Sequence, residues 1–393
     1  MGGPHPSNPL SKPAACNNGA GDSNTKSVKE QTPVVDPQGK IKIMPNFTQN
    51  QLQKITIDIF EAGGVPSDEA EIIGELLVAS NLAGHDSHGV IRIPQYIGLI
   101  DSGLIQPGAP MPIERESTSH ALLNGNWGFG HVIAQKAMSL AIEKAKSSTI
   151  SAISVYNCNH IGRIGSYPLM AAEAGMVGIT MVNAGGTALY VAPFGGSDGR
   201  LATNPLAIAT PTRNGHPILL DITSSVVAQG KIRVAFNRGE SVPLGWLINS
   251  EGEPTQDPRD LMESPQGALL PLGGIAGHKG YALGLMIDIL GGALSGAGCS
   301  GSGNTRLQNG VLMIVLDIAN FTALDDFYEH VDGLIAHVKA SPTAPGFDEI
   351  LAPGEIEARQ TERRLREGIP IDDETWRQIQ ETAAEVGIPE LEF

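Results

Sequence analysis

The densest group of reactive side chains lies in residues 84 to 96, whose sequence is GHDSHGVIRIPQY. The segment holds two imidazoles, a carboxylate, a hydroxyl, a guanidinium and a phenol. The planar guanidinium of Arg92 can bind a carboxylate through two parallel hydrogen bonds. His88, Arg92 and Tyr96 are spaced i, i+4 and i+8 and would share one helix face, but Pro94 predicts that a helix begins close to it. The structural alternative is a polar helix start in which Arg92 forms a surface ion pair.

His85 and His88 also invite comparison with metal sites. The segment lacks the glutamate of the zinc-protease helix motif, and no third ligand stands nearby in the sequence. We therefore predict no metal site here.

A second candidate, His160, stands in residues 157 to 165 (NCNHIGRIG), directly after a strand-like segment. A histidine at a strand end, followed by glycines, is placed where an acid or base can meet a substrate above a sheet. Oxidation of an alcohol needs a base for the hydroxyl proton, and an imidazole with a reference pKa of about 6.5 serves both directions near neutral pH. The alternative is a loop histidine that is hydrogen-bonded for structural reasons.

Two turns at predicted helix starts are suited to anionic groups. Asp221 ends a strand-like segment, and hydroxyl side chains of residues 223 to 225 follow it. These hydroxyls and free backbone N–H groups can receive a phosphate, or they can cap the helix. Lys279, in the sequence GHKGY, stands at another helix start, where the alternative is a solvated lysine in a glycine-rich turn. The turn-rich residues 191 to 206 predict only a tight corner.

A Rossmann fingerprint is not predicted. Gly128 and Gly130 follow a strand and open a helix, but Ile133 stands at the position of the third glycine. The next predicted strand, which ends near Tyr156, offers no acidic residue for a ribose.

The elements that must position these side chains follow from hydrophobic periodicity and turn residues. Thr48 and Gln51 predict a capping box at the start of a first helix that ends at Gly63, and Ser67 begins a second helix. Further helices are expected over residues 131–146, 167–174, 226–236, 281–294, 324–339, 356–366 and 373–385, and strands over 121–123, 150–156, 177–182, 206–210, 218–221 and 311–318. This alternation favours an α/β or α+β fold with buried strands.

Composition limits the partners and the compartment. The net charge of −16 argues against nucleic acid, because phosphate binding needs clustered Lys and Arg. Three cysteines without CxxC spacing predict neither a disulfide framework nor a zinc site, so a reducing cytosol is the simplest compartment. Residues 1–45 are expected to form a disordered tail without a secretion or import signal. The apolar residues 281 to 297 carry Asp288 and several glycines, which favours a buried core helix over a membrane span.

Taken together, these segments resemble the malate/L-lactate dehydrogenase family of the second type, which also holds ureidoglycolate and sulfolactate dehydrogenases and cyclic-imine reductases. The resemblance rests on GHDSHGVIRIPQY, NHIGRIGSY, VAPFGG with TNPLAIATP, DITS with QGK, GWLINSEGEPTQDP, GHKGYALGLMIDILGGALSG and APGFDEILAPGE, in family order from about residue 50 to residue 360. The chain departs from the family in its longer tail and in residues 296–309, which look shortened or altered.

The resemblance implies an α/β, sulfolactate/malate dehydrogenase-like fold with a non-Rossmann NAD(P)-binding domain and a helical domain. It places a central α/β NAD(P)-binding region at residues 121–324. A helical substrate and dimer region at residues 46–120 would be completed by residues 325–393. The resemblance also implies NAD or NADP as cofactor and a homodimer with its sites near the subunit interface.

The same resemblance implies roles for individual residues. His160 is the expected proton acceptor, Arg92 grips the substrate carboxylate, and His88 or Asp221 orients the reacting groups. Ser87 and Tyr96 complete the expected substrate contacts. The expected cofactor contacts are Ala184, Asp221, Ile222, Thr223, Lys279, Gly280, His330, Gly354, Glu355 and Ile356.

We therefore predict a cytoplasmic oxidoreductase that transfers a hydride between NAD(P) and the α carbon of a small 2-hydroxy or 2-oxo acid of the malate, lactate or ureidoglycolate type. An NAD(P)H-dependent reductase of cyclic imines (Δ1-piperideine- or pyrroline-2-carboxylate) is the nearest alternative. A non-catalytic binding protein on the same scaffold is a third. The substrate, the choice between NAD and NADP and the direction of the reaction stay open.

Overall fold

The computed structural model describes residues 44–186, 188–213, 215–303 and 306–391. The predicted disordered tail, residues 1–45, lies outside this range except for its last two residues. Most of the predicted helices and strands are confirmed to within two residues at each end. The helices are α1 (Gln49–Ala62), α2 (Ser67–Leu82), α3 (Ile93–Asp101), α4 (Gly130–Ser148), α5 (Ser166–Glu173), α6 (Gln229–Arg238), α7 (Arg259–Met262), α8 (Gly277–Asp288), α9 (Leu324–Lys339), α10 (Glu355–Glu367) and α11 (Asp373–Glu385).

A mixed sheet of seven strands forms the centre of this part of the chain. The strands of this sheet and of two smaller ones, numbered together in chain order, are β1 (Asn46–Phe47), β2 (Ile113–Glu116), β3 (His120–Asn124), β4 (Ile150–Cys158), β5 (Met176–Asn183), β6 (Leu206–Thr210), β7 (Ile218–Ile222), β8 (Leu247–Ile248), β9 (Pro254–Thr255), β10 (Ala268–Leu269), β11 (Asn309–Asp317) and β12 (Ile369–Pro370). The order in the large sheet is β2-β3-β4-β11-β5-β6-β7. A small sheet has the order β10-β8-β9, and β1 pairs with β12.

Strand direction brings several strand ends to one edge of the large sheet. β11 is antiparallel to both β4 and β5, so β4 and β5 run in the same direction. β6 is antiparallel to both β5 and β7, so β7 shares that direction too. The carboxyl ends of β4, β5 and β7 therefore lie at the same edge, and the residues after them can meet there.

Two apolar cores support this edge. One lies between the sheet and α4 and α5, and it includes Ala137, Met138 and Ala171 together with inward side chains of β4 and β11. The other joins α1, α2, α3 and α11, and it contains Tyr96. The predicted capping box of Thr48 and Gln51 is confirmed at the start of α1. The domain limits at residues 120 and 324 remain a prediction. The pairing of β2 with β3 crosses the limit at residue 120.

One predicted helix start is wrong, because α6 begins at Gln229 rather than at residue 226. The chain before it is held in a loop by its own hydroxyls, since Thr223 Oγ1 donates to Ser225 O and Ser225 Oγ donates to Val227 O. Such local bonds compete with a helix.

The predicted helix at residues 281–294 also differs from the structure. It begins earlier, at Gly277, and continues into a π-helical turn at Ile289–Ala293. Its description as a buried core helix is wrong for the single chain, because side chains on one face stay exposed, with fractions of 39% for Leu285, 50% for Met286 and 59% for Leu294. No helix in the described part of the chain has the length and apolar character that a membrane crossing requires.

Candidate functional site

His160 lies just beyond β4, in a loop that neighbouring backbone fixes tightly. The side-chain amide of Asn159 donates to three carbonyl oxygens, those of Leu104, Trp127 and Gly128, at 3.1, 2.8 and 3.0 Å. On the other side of His160, the Ile161 backbone N–H donates to Asn309 Oδ1 at 3.0 Å. The loop also approaches the start of α4 so closely that only glycine fits there, since a Cβ on Gly130 would lie 2.2 Å from His160 O. The imidazole of His160 is therefore held on a rigid support.

The structure brings the predicted catalytic and substrate residues around this imidazole. Tyr96 Oη and His160 Nδ1 are 2.7 Å apart, which is a hydrogen bond. The His88 ring stacks on the His160 ring with centroids 5.7 Å apart and an interplanar angle of 22°. Because Nδ1 is engaged with Tyr96, the other nitrogen of His160, Nε2, is the one left to meet a substrate.

The electrostatic surroundings keep these imidazoles neutral. Burial, followed by the charge of Arg92, holds the pKa of His160 well below its usual value. Burial and Arg92 likewise lower the pKa of His88 to about 3. Burial raises the pKa of Tyr96, so its phenol stays protonated near neutral pH. A neutral imidazole has a lone pair for a proton, which is what a general base requires.

The three side chains His88, Arg92 and Tyr96 do not share one continuous helix. Two 3₁₀ turns, Asp86–His88 and Val90–Arg92, precede α3, and Pro94 lies in its first turn, as the sequence predicts. The short turns, rather than one continuous helix, place His88 against the His160 ring and Arg92 at the start of α3.

These turns are anchored by a residue from the far end of the chain. Arg364 on α10 binds the Asp86 carboxylate with both terminal amino groups, at 2.6 and 3.0 Å. Asn81 donates to the same carboxylate at 2.7 Å and accepts from Val90 N at 2.9 Å. A Cβ on Gly89 would lie 2.1 Å from Asn81 Oδ1, so the turn can close on Asn81 only because residue 89 is glycine.

Arg92 is directed by its own segment. Its Nε donates to Ser87 O and its Nη1 donates to Gln95 Oε1, both at 2.7 Å. Ser87 Oγ lies 3.1 Å from His88 Nδ1. Among the residues that the structure describes, Arg92 forms no ion pair, so the surface-pair alternative is not what is observed. Its charge remains available to an anionic ligand beside His160.

Asp221 reaches the His160 loop from the end of β7. Its Oδ2 accepts from Gly165 N at 3.1 Å and lies 3.4 Å from Arg163 Nε. A Cβ on Gly165 would lie 2.4 Å from this oxygen, which explains the glycine there. Burial raises the pKa of Asp221, and the nearby Arg163 charge opposes that effect.

Some of the predicted cofactor residues lie at the same sheet edge. Asp221 and Ile222 end β7 and Thr223 follows it, and Ala184 follows β5, where its N–H donates to Asn204 Oδ1 at 3.2 Å. Gly354 lies instead against the beginning of β7, since Leu219 N donates to Pro353 O at 3.1 Å. Its φ is +94°, and a Cβ there would be only 3.1 Å from Leu219, so close packing against β7 requires glycine.

Lys279 and Gly280 lie in the first turn of α8, beside the chain that follows β7. Leu272 N donates to Ser224 O at 2.9 Å, and a Cβ on Gly280 would lie 2.1 Å from Leu272 O. The Lys279 side chain is exposed and has no ion pair within the described residues. A free cation at a helix N-terminus fits the phosphates of a dinucleotide.

Three predicted residues are less closely joined to this group. Glu355 Oε2 accepts from Ala352 N at 3.0 Å and its Oε1 pairs with Lys339, so its carboxylate is already occupied. Ile356 is 65% exposed. His330 is exposed on α9, and no contact joins it to the other predicted cofactor residues in the part of the chain described. Their roles stay predictions.

His85 and His88 do not face a common ligand. His85 Nε2 lies 3.5 Å from Glu357 Oε1, whereas His88 stacks on His160. Across the described residues, no group of three or more His, Cys, Asp or Glu side chains could hold a metal ion.

The sequence argument did not assign several residues that the structure places in or behind the site: Asn81, His131, Asn159, Arg163 and Arg364. Asn159 and Arg163 flank His160 in the NHIGR motif, which was the available signal. His131 on α4 has its ring 5.5 Å from that of Tyr96, and neither ring nitrogen has a hydrogen-bond partner among the described residues. Asn81 and Arg364 are joined through backbone and Asp86 over a separation that no local pattern reveals.

Comparison with known proteins agrees with this geometry. A model of the malate/L-lactate dehydrogenase family matches residues 47–380. The chain belongs to this family. It is 41% identical over 352 residues to a malate dehydrogenase of Pyrococcus abyssi, which covers 88% of this chain and 96% of that relative. The predictions of family and of a dehydrogenase are confirmed.

Solved structures of malate/L-lactate dehydrogenase type confirm the predicted fold. A putative malate/lactate dehydrogenase from Escherichia coli superposes with a TM-score of 0.83 at 37% identity, covering 88% of this chain and 96% of that one. Delta1-piperideine-2-carboxylate reductase from Pseudomonas syringae has a TM-score of 0.74 at 28% identity, with coverages of 86% and 100%. The fold thus serves relatives named for different substrates.

Proposed function

We propose that this protein is an NAD(P)-dependent dehydrogenase of small 2-hydroxy acids, which moves a hydride to or from the carbon next to the carboxylate. The observation that carries the proposal is the 2.7 Å hydrogen bond of the buried His160 imidazole to the Tyr96 phenol, within electrostatic reach of the Arg92 guanidinium. This group lies at the strand edge that also holds Asp221. A base, a carboxylate-binding cation and a dinucleotide cradle are the parts this reaction needs.

Arg92 supplies the carboxylate contact. A 2-hydroxy acid bound to its guanidinium would present the adjacent carbinol to His160, because both side chains converge on Tyr96 and His88. Ser87 and His88 line the same space and can orient the hydroxyl. Fixing the carboxylate at two points selects one orientation of a small substrate, which lowers the entropic part of the barrier.

Tyr96 allows His160 to work in both directions. In alcohol oxidation, Nε2 of His160 takes the hydroxyl proton, so Nδ1 must carry a hydrogen and donate to the phenol oxygen. In reduction, His160 starts as the imidazolium, and Nε2 gives its proton to the substrate oxygen while Nδ1 keeps its hydrogen and donates to the phenol oxygen. The 2.7 Å contact therefore serves both directions, because the phenol oxygen accepts from Nδ1 in each. Bound carboxylate also offsets the Arg92 charge, which raises the pKa of His160 towards the working range.

The cofactor residues fit NAD or NADP. The exposed Lys279 cation and the backbone after β5 and β7 would suit an extended ligand with phosphates. When bound, the nicotinamide supplies or accepts the hydride. Asp221 would hold the Gly165 backbone and Arg163 in place beside it. The choice between NAD and NADP stays open.

A homodimer belongs to the same proposal. Leu285, Met286, Ile289 and Leu294 are all at least 39% exposed, and their spacing puts them on one face of α8 and the turn that follows. Exposed apolar faces of this kind are typical of interfaces between subunits. A cytoplasmic location remains a prediction.

A reductase of cyclic imines is the second candidate. It is favoured by the likeness to the piperideine-2-carboxylate reductase, whose substrate also carries a carboxylate beside the reacting carbon. Arg92 would keep its role, and His160 would face a nitrogen instead of an oxygen.

The decisive test follows reduced nicotinamide by its near-ultraviolet absorbance. Purified protein is mixed with NADH or NADPH and with oxaloacetate, pyruvate, ureidoglycolate (in the oxidative direction) or cyclic imines. We expect turnover with one or more 2-oxo or 2-hydroxy acids. Turnover restricted to imines would replace the proposal by the second candidate. Absence of both turnover and cofactor binding would leave a non-catalytic protein on this scaffold.

A further inference from the structure

Arg163 is a buried cation whose hydrogen-bonding capacity is unmet. It lies three residues beyond His160, and its side chain is only 6% exposed. Its Nε is buried without a hydrogen-bond partner, and no hydrogen bond to its guanidinium occurs among the residues that the structure describes. Among the described residues, its one charged neighbour within ion-pair distance is Asp221, at 3.4 Å and without hydrogen-bonding geometry.

This arrangement is costly for the protein alone. Burying a guanidinium N–H away from water without an acceptor is unfavourable, and the Arg163 Nε is such a donor. One carboxylate at 3.4 Å offsets part of the charge but engages none of the donors well. A buried, incompletely paired cation of this kind marks a place where a ligand anion completes the site.

Arg163 stands close to the proposed reacting centre, three residues beyond His160 and 3.4 Å from Asp221. Its charge adds to the effects of burial, Arg92 and His85 that lower the pKa of His88, whose ring stacks on His160. It also acts on Asp221 and on Glu357 at the start of α10. Arg163 is therefore near enough to both His88 and α10 to act on them electrostatically.

We propose that Arg163 is a second anion-binding side chain of this site, distinct from Arg92, which takes a carboxylate, sulfonate or phosphate oxygen of the bound ligands. The proposal rests on the proposed function for its setting. Two sources of the anion share this chemistry. One is a distal acidic group of the substrate, such as the second carboxylate of malate, and the other is a phosphate of the dinucleotide.

The rival explanation is a structural ion pair in which Arg163 only fixes Asp221 and the loop at Gly165. In that role, the Arg163 charge would matter for folding, and its removal would affect the binding of charged and uncharged ligands equally. The two explanations differ in which ligands lose affinity when the guanidinium is removed.

The test compares the full-length wild type with Arg163→Gln and Arg163→Lys. Arg200→Gln serves as the matched control, because Arg200 is a 68% exposed arginine paired with Asp198. Dissociation constants for NADH, NADPH, L-malate and L-lactate are measured by calorimetry, besides turnover with oxaloacetate and pyruvate. Melting temperatures report whether each variant folds.

If the anion is the distal acid, Arg163→Gln weakens L-malate about 10- to 100-fold and leaves L-lactate and the cofactors nearly unchanged. If it is a cofactor phosphate, the same loss appears for NADH or NADPH and not for the two acids. Arg163→Lys restores part of the affinity in either case, because it keeps the charge but loses the planar fork. Each result supports the proposal.

Equal loss for all ligands with a lower melting temperature, or no loss for any of them, overturns the proposal in favour of the ion pair. These binding results do not depend on turnover. A wild type that binds cofactor and acids without turning over any 2-oxo acid therefore contradicts the proposed function while still testing Arg163. Arg200→Gln should match the wild type throughout.

Discussion

The proposed substrate side of the site, around Arg92 and His160, and the proposed cofactor side, around Lys279 and Gly354, are held in different ways. Around Arg92, side chains hold one another: the Asp86 carboxylate is bound by both Asn81 and Arg364, and His160 is bound to Tyr96. Around Lys279 and Gly354, the structure offers strand ends, glycines and an exposed cation with few side-chain contacts.

This difference matches the two ligands. A small substrate offers few atoms, so its orientation depends on side chains that are placed before it arrives. A dinucleotide is long and covers much backbone, so glycines and helix starts can bind it without a dense side-chain network. Changes on the substrate side should therefore affect rate and stability together, whereas changes on the cofactor side should affect affinity alone.

The largest effect is expected from His160→Ala. Loss of the proposed general base should lower kcat about 10²- to 10⁴-fold, because the hydroxyl loses the imidazole positioned to take its proton. The dissociation constant of NADH, read by fluorescence, should change little. His120→Ala, an exposed histidine on β3, is the control. Unchanged turnover in His160→Ala would remove this residue from the mechanism.

The anchor of the 3₁₀ turns gives the next largest effect. Arg364→Met leaves the Asp86 carboxylate with Asn81 alone, and the free energy of unfolding should fall by about 2–3 kcal/mol, measured by urea denaturation. Activity should also drop, since the turn carries His88 and Arg92. Arg359 lies on the same helix as Arg364 and forms a half-exposed ion pair with Glu349. Arg359→Met removes this pair and should lower the free energy of unfolding by less than about 1 kcal/mol. Equal losses in both variants would mean that the anchor has no special role.

On the cofactor side, Lys279→Gln should weaken cofactor binding about tenfold and leave kcat nearly intact, because one charge-assisted contact to a phosphate is lost. The KM for NADH or NADPH is the measurement. Lys136→Gln, which removes an exposed lysine from α4, should change nothing. A fall in kcat without a rise in the cofactor KM would contradict the contrast between the two sides.

The smallest effect concerns stability against acid. Burial, followed by nearby charges, lowers the pKa of His131 and of His88 to about 3. Below pH 6.5, these two histidines bind protons in the unfolded chain but stay neutral in the folded chain. Stability is therefore full above pH 6.5, and each histidine removes about 1.4 kcal/mol per pH unit as the pH falls from 6.5 towards 3. In His131→Gln the loss between pH 6 and pH 5, measured by urea denaturation, should be shallower by about 1 kcal/mol. An identical slope would show that His131 is protonated in the folded state.

Features that depend on residues close together in the chain could be predicted from the sequence. The alternation of apolar residues predicted β4, β5 and β6, and the Thr48 capping box was predicted from two residues. The candidate site was recognisable because His160 and the segment from Ser87 to Tyr96 stand in continuous motifs.

What could not be predicted depends on residues far apart in the chain. Nothing near Asp86 indicates that its partner is Arg364, 278 residues later. The 3₁₀ turns follow from that anchor and from Gly89, not from a helical period. The surroundings of Arg163 could not be predicted for the same reason, because its neighbour Asp221 lies on β7, far from it in the chain.

The central place of β11 has a consequence for how the protein is made. This strand, Asn309–Asp317, fills the space between β4 and β5, which the ribosome produces well over a hundred residues earlier. Until it emerges, β4 and β5 have an unpaired edge, and the Ile161 N–H lacks the Asn309 side chain that fixes the His160 loop. The His160 loop of a nascent chain is therefore fixed late, and we expect the exposed strand edges to favour aggregation until translation has passed residue 317.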